Sequence, residues 1–202
     1  MNKKKLHHIW VRLRPIRYWY FLVLFIVSST VFIFAYRQNN LEALRLRDEL
    51  TRVDEQGGDV ETSLKNLREF IYSHMNADLT GGPNSIYPPI QLAHTYERLV
   101  RIEQDRVAAA QKAINAQANV YCAAIVSGNG PGTNRVPCIT KYIEDHPVRG
   151  QTIPDDLYKF NFVSPAWSPD LAGWSALASV VFLFLFIIRS GLERWVKYTL
   201  SD

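Results

Sequence analysis

Charge is absent from two long stretches of the sequence. Residues 18–36 and residues 171–188 contain no Asp, Glu, Lys or Arg, although these residues make up 21% of the chain. At about 1.5 Å per residue, a helix of the first stretch would span roughly the 30 Å hydrocarbon core of a bilayer. We therefore predict two transmembrane helices. The lack of ionisable side chains within them gives no indication of ion transport.

Aromatic and basic residues stand at the ends of both stretches, where a membrane interface favours them. The first 36 residues carry six Lys and Arg and no acidic residue. This bias predicts that both termini are cytoplasmic and that residues 37–170 lie outside. The flanks also favour a second span over a buried core helix for residues 171–188. The predicted interface anchors are Trp19, Tyr20, Tyr36, Trp167, Trp174 and Trp195.

The first stretch lacks a small-x-small cleavage site, since its exit reads IFAYRQ. This favours an uncleaved signal anchor over a cleaved signal peptide. The expected organisation is a basic cytoplasmic leader, a first span, an outside domain, a second span and a cytoplasmic tail, at residues 1–17, 18–36, 37–170, 171–188 and 189–202. The sequence has no Asn-x-Ser/Thr acceptor, which favours a bacterial cytoplasmic membrane over a glycosylated surface.

Cysteine is scarce: the chain has two, Cys122 and Cys138, both in the predicted outside domain. An oxidising compartment and a separation of sixteen positions favour a disulfide. A loop of this size would be stabilised by about 3 kcal/mol in the chain-entropy model. A metal site is less favoured, because neither cysteine has a second ligand at CxxC-like spacing.

Helical periodicity dominates the outside domain. We predict that the first span continues as a helix to Gln56, that a second helix covers residues 60–79, and that a third runs from residue 90 to about residue 126. Gly57 and Gly58 break the first helix, and Asp59 is a good N-cap for the second. The alanine-rich half of the third helix, residues 107–124, suggests close approach to a neighbouring helix.

The predicted fold is an all-α membrane protein: two transmembrane helices flank an antiparallel bundle of three helices. From Ser127 the helical pattern gives way to a Gly-rich loop and then to a proline-rich, irregular strap at residues 146–170. The disulfide would tie this C-terminal part to the third helix. We expect the strap to pack either on the base of the bundle or on the membrane surface.

Small residues concentrate within the spans and allow close helix packing in lipid. They are Ser28 and Ser29 in the first span and Ala172, Ser175, Ala176 and Ser179 in the second. Packing of the two spans against each other is the favoured interpretation, and recruitment of a partner helix is the alternative.

Signs of catalysis are sparse. His94 and Glu97 share a helix face at i,i+3 and, with His74, form a weak candidate metal site, for which a solvated polar face is the favoured alternative. The Gly128–Thr133 loop lacks the Lys-Ser/Thr ending of a phosphate cradle. No cofactor, no nucleophile elbow and no clustered basic face for nucleic acid is indicated.

The sequence therefore favours a non-enzymatic two-pass protein whose outside domain binds a protein partner or a second copy, as a scaffold or a subunit of a complex. A ligand sensor is the second hypothesis, because a helical domain between two spans resembles, in architecture alone, the input half of bacterial chemoreceptor-type sensors. It departs from them at the fourteen-residue tail from Arg189, so that a sensor would need a signalling partner. A metal-dependent envelope enzyme is a remote third hypothesis.

Overall fold

The computed structural model of the chain describes residues 17–79, 86–125 and 135–201. These ranges are mostly helical, which confirms the predicted class in outline. The helices are α1 (Tyr18–Gln56), α2 (Val60–Ser73), α3 (Ala93–Ile125), α4 (Arg135–Asp145) and α5 (Leu171–Ser201). A 3-10 turn covers Asp155–Leu157, and the strands β1 (Ile90–Gln91) and β2 (Lys159–Phe160) pair antiparallel. The predictions for the basic leader before Arg17 and for the Gly-rich loop lie outside the described residues.

α1 runs without a break from the first apolar stretch into the domain beyond it. Its 39 residues form a rod of about 58 Å. Gly57 ends it in the left-handed conformation, at a φ of 68°, which glycine adopts readily because it has no Cβ. The Asp59 carboxylate then accepts hydrogen bonds from the amide and the hydroxyl of Thr62, at 3.0 and 2.7 Å, and starts α2 as predicted. The chain thus reverses within three residues, and α1 and α2 form a helical hairpin.

α1 and α5 lie side by side and form the most extensive helix–helix contact among the described residues. Each contains a window long and apolar enough to cross a membrane. The Ser179 hydroxyl donates to the Ser28 hydroxyl at 3.0 Å, and Ala172 is fully buried in a cluster with Ala35 and Met75. The other predicted small residues of the spans, Ser29, Ser175 and Ala176, are buried or half-buried. The two apolar helices therefore pack against each other.

Five polar side chains connect α1, just beyond its apolar run, to the chain that follows α2 and to the start of α5. We call them the polar collar: Asn39, Asn40, Asn76, Ser168 and Asp170. The Asn39 amide donates to the Met75 carbonyl at 3.0 Å and to the Asp170 carboxylate at 2.6 Å. Asn76 donates to the Tyr36 carbonyl at 2.8 Å. The collar holds three separate parts of the chain together where the apolar run of α1 ends.

The polar collar explains why α2 ends at Ser73 and not at Leu79, where the apolar pattern predicted its end. The Met75 amide donates to the Ser168 hydroxyl at 2.9 Å, and the Asp78 carbonyl accepts from Asn40 at 3.3 Å. Asn76 has a left-handed φ of 59°. Hydrogen bonds to distant residues thus replace the last predicted turn of the helix.

The third helix begins at Ala93, after a short strand that the sequence analysis did not predict. Ile90 pairs with Phe160 and Gln91 with Lys159, and the Leu92 amide donates to the Tyr158 carbonyl at 2.9 Å. Apart from β2 and the 3-10 turn, the strap at residues 146–170 is irregular, as predicted. It packs on the helical hairpin, because Phe162 belongs to the hydrophobic core.

The main hydrophobic core lies between α1, α2, β1 and the strap. Its buried members are Ala43, Leu50, Leu67, Ile71, Ala77, Leu79, Ile90, Leu92 and Phe162. No residue of α3 or α4 belongs to this core within the described ranges. Of the three helices predicted to form an antiparallel bundle, α1 and α2 pack together as a hairpin. Within the described residues, α3 contributes nothing to their shared core.

α3 is attached to α1 through one buried carboxylate, that of Asp54. Asp54 accepts hydrogen bonds from the amides of His94 and Thr95, at 3.0 and 2.9 Å, and from the Thr95 hydroxyl. The Arg98 guanidinium pairs with the same carboxylate at 3.0 Å. Asp54 therefore acts as an N-cap supplied by a different helix, satisfying amide donors that α3 cannot satisfy itself.

We predict that Asp54→Ala lowers the free energy of unfolding by about 2–4 kcal/mol, because it removes both a helix cap and the acceptor for partly buried donors. Thermal unfolding of the detergent-solubilised protein, followed by circular dichroism, measures the change. Glu49→Ala is the matched control: Glu49 is on the same helix and its ion pair with Arg45 is exposed, so its loss should cost less than about 1 kcal/mol. Equal destabilisation by the two variants would contradict the role assigned to Asp54.

Candidate interaction surface

The predicted membrane anchors are placed at the ends of the two apolar stretches. Trp19 and Tyr20 lie in the first turn of α1, and Tyr36 ends its apolar run. Trp167 and Trp174 contact each other edge to face, with ring centroids 6.0 Å apart. Trp195 lies near the far end of α5 and, like the other anchors, is exposed. Exposed aromatic rings at both ends of an apolar helix pair are the arrangement that a membrane interface favours.

The weak metal candidates are not assembled into a metal site. His74 stacks on Phe70 at 4.2 Å between ring centroids, and its Nδ1 lies 3.0 Å from the Phe70 carbonyl oxygen. On the exposed side of α3, Nδ1 of His94 lies 3.7 Å from Oε2 of Glu97. Residues 17–79, 86–125 and 135–201 contain no group of three or more His, Cys, Asp or Glu that could hold a metal ion.

α3 and α4 form a second helical unit, joined by the predicted disulfide between Cys122 and Cys138. The Cα atoms of this pair are 5.9 Å apart, and Cys122 is fully buried. The Arg135 guanidinium also donates to the Asn119 carbonyl at 3.1 Å. We call this unit, α3 from Glu103 onward together with α4, the arm. The disulfide is thus confirmed, and it fixes the two helices of the arm to each other.

The arm is attached to the strap near its base by Glu103. This carboxylate accepts hydrogen bonds from the Arg106 guanidinium at 2.7 Å and from the backbone N–H of Gln151 at 2.6 Å. Arg106 also donates to the Arg149 carbonyl at 3.1 Å. The Arg106 guanidinium, followed by the Gln151 amide, lowers the pKa of Glu103 from 4.5 to about 2. Glu103 therefore stays ionised in mildly acidic solution and holds the strap on α3.

Large apolar side chains are exposed at the far end of the arm. We define the arm surface as Val120, Tyr121, Ile125 and Val136, which are 74%, 52%, 61% and 66% exposed. Residues 113–125 of α3 contain no charged residue at all. Beside this surface lies an open cavity of about 640 Å³, lined by Tyr121, Ile125 and Tyr142 among others. Several large exposed apolar side chains at one end of a unit often mark a surface that contacts another molecule.

The alanine-rich half of α3 is recognisable in the sequence, but which of its sides is covered and which is exposed is not. It predicted close approach of a neighbouring helix, and α4 does cover Ala118 and Cys122. On the other side of α3, however, Ala109, Ala113 and Ala116 are exposed. The absence of charge from residues 113–125 is unusual for such an exposed helix face, which normally carries charged side chains.

The chain matches no protein-family model, no curated protein and no solved structure.

We predict that Glu103→Gln weakens the attachment of the strap to the arm in a pH-dependent way. Because folding lowers the pKa of Glu103 from 4.5 to about 2, its contribution to stability is complete above pH 4.5 and is lost as the pH falls through about 2. The thermal unfolding midpoints of wild type and Glu103→Gln in a nonionic detergent should therefore differ most above pH 4.5 and converge in stronger acid. A difference that stays constant over this range would contradict the assignment.

Proposed function

We propose that this protein is a two-pass membrane protein that presents the arm outside the cytoplasmic membrane for binding another protein. In this topology both termini are cytoplasmic and residues 37–170 lie outside. Two apolar helices with exposed aromatic ends support the membrane location. The disulfide of the arm supports an oxidising compartment for the domain, because such bonds persist mainly outside the cytosol.

The topology can be tested by labelling single introduced cysteines with a membrane-impermeant maleimide. The native cysteines are joined in the disulfide and do not compete. In spheroplasts, Gln104→Cys on the arm should be labelled, whereas Lys197→Cys near the end of α5 should be labelled only after lysis. Labelling of Lys197→Cys in intact spheroplasts, with protection of Gln104→Cys, would reverse the proposed orientation.

The observation that carries the binding function is the arm surface. Burying apolar side chains of this size stabilises a complex by about 1.5–3 kcal/mol each before the costs of association. Because the disulfide already fixes α3 to α4, the surface loses little conformational freedom when a partner binds. Residues 113–125 of α3 carry no charge, so burying this part of the surface requires no desolvation of ions. These properties favour a scaffold or a subunit of a membrane complex, whose partner is another protein or a second copy.

The partner contact can be tested with a photo-cross-linking amino acid placed in the native membrane. At position 120 it should give one discrete adduct, whereas at position 112, occupied by an exposed lysine on the same helix, it should give little. Ile125→Glu should suppress the adduct from position 120, because a charge within an apolar interface opposes association. Equal adducts from both positions, or an adduct indifferent to Ile125→Glu, would contradict the proposed surface.

A ligand sensor is the second candidate function. It is favoured by α1, which joins the first apolar stretch to the outside domain as one continuous helix. Any ligand that shifts the outer part of α1 would act directly on the segment proposed to cross the membrane. A bistable arrangement of the two spans would then be needed to convert binding into a signal.

A further inference from the structure

A second cavity, of about 490 Å³, opens between the outer part of α1 and the segment that leads into α3. Small-molecule sites commonly have volumes of about 300–1,000 Å³. Charged side chains of α1 line one side, and the other side is formed mainly by the apolar residues Ile86, Pro88, Pro89 and Ile90. The cavity shares no lining residue with the arm surface.

On the charged side of the cavity, two side chains have no partner among the described residues. α1 has eight charged residues between positions 42 and 55, and six of them are held in ion pairs or hydrogen bonds: Glu42, Arg45, Arg47, Asp48, Glu49 and Asp54. Arg52 and Glu55, which both line the cavity, form no hydrogen bond or ion pair within the described part of the chain. The cavity therefore presents one free guanidinium and one free carboxylate.

The spacing of these two charges suits a ligand that bears both signs. Arg52 and Glu55 are at i,i+3, so their Cβ atoms are about 5–6 Å apart on one helix face. Arg47 and Asp48, which also line the cavity, neutralise each other across 3.0 Å. A ligand with a single charge would be attracted by one of these two charges and repelled by the other.

We propose that this cavity binds a free α-amino acid with an apolar side chain. The ligand carboxylate accepts hydrogen bonds from the planar fork of the Arg52 guanidinium, which matches it in a bidentate geometry. The ligand ammonium group donates to the Glu55 carboxylate. The apolar side chain packs on the wall formed by Ile86, Pro88 and Pro89, whose side chains carry no polar group.

The site would connect ligand binding to the first span. Arg52 and Glu55 belong to α1, whereas Pro88 and Pro89 precede α3, so a bound amino acid would bridge the two parts of the domain. Arg52 is sixteen residues beyond Tyr36, about 24 Å along the same continuous helix. This inference does not depend on the arm surface, and either could hold without the other.

Isothermal titration of the full-length protein in nanodiscs with L-leucine tests the proposal. Two analogues separate the contributions of the charges: 3-methylbutylamine lacks the carboxylate and 4-methylpentanoic acid lacks the ammonium group. We expect L-leucine to bind and both analogues to bind much more weakly. Arg52→Gln and Glu55→Gln should each weaken L-leucine binding by about 10- to 100-fold, the range for losing a hydrogen bond to a charged group.

Matched controls are available on α2, where Arg68 and Glu61 are exposed. Arg68→Gln and Glu61→Gln should leave the affinity for L-leucine unchanged, and all four variants should unfold at the wild-type temperature. The proposal is overturned if L-leucine, L-valine and L-phenylalanine all fail to bind. It is equally overturned if the analogues bind as tightly as L-leucine, or if Arg52→Gln and Glu55→Gln bind it like the wild type.

Discussion

The position of the arm depends on the buried carboxylate of Asp54. Without it, the amides of His94 and Thr95 at the start of α3 would lose their hydrogen-bond acceptor, and the Arg98 guanidinium would lose its ion-pair partner. With it, the end of α1 and the start of α3 share one hydrogen-bonded unit, in which the backbone carbonyl of Asp54 also accepts from Arg98. A single polar residue thus holds α3 on α1, whereas a hydrophobic interface holds α2 on α1. The difference matters because hydrogen bonds are directional, whereas the hydrophobic effect is not.

A second set of polar contacts organises the opposite end of the hairpin. Burial raises the pKa of Asp170, but hydrogen bonds from the Gly173 amide and from Asn39 and Ser168 outweigh it and hold the pKa below its ordinary value. Asp170 therefore caps α5 in its ionised form while it orients Asn39 on α1. The chain approaches α5 so closely here that a Cβ on Gly173 would lie 1.8 Å from the Ser168 carbonyl oxygen. The strap is held at both of its ends, by the polar collar and by Glu103.

Local signals were sufficient to predict the apolar helices, the turn at Gly57, the cap at Asp59 and the disulfide. Each of these depends on residues near one another in sequence or on composition alone. The early end of α2 was not predictable in this way, because it results from hydrogen bonds with Asn40 and Ser168, far away along the chain. The pairing of β1 with β2 is equally non-local, and each strand has two residues, too few for a period-2 pattern.

The position of α3 escaped prediction for a different reason. Periodicity shows that a helix has an apolar side but not which element covers it, and the economical assumption was a bundle with α1 and α2. Asp54 looks in the sequence like one more acidic residue on a charged helix, although its side chain is 3% exposed. Once α3 is joined to α1 at its first turn and not along its length, its later turns have α4 and the strap as neighbours. The charge-free end of α3, with its large apolar side chains, is then left exposed to solvent, a costly arrangement for an isolated domain and a favourable one for a surface that is covered in a complex.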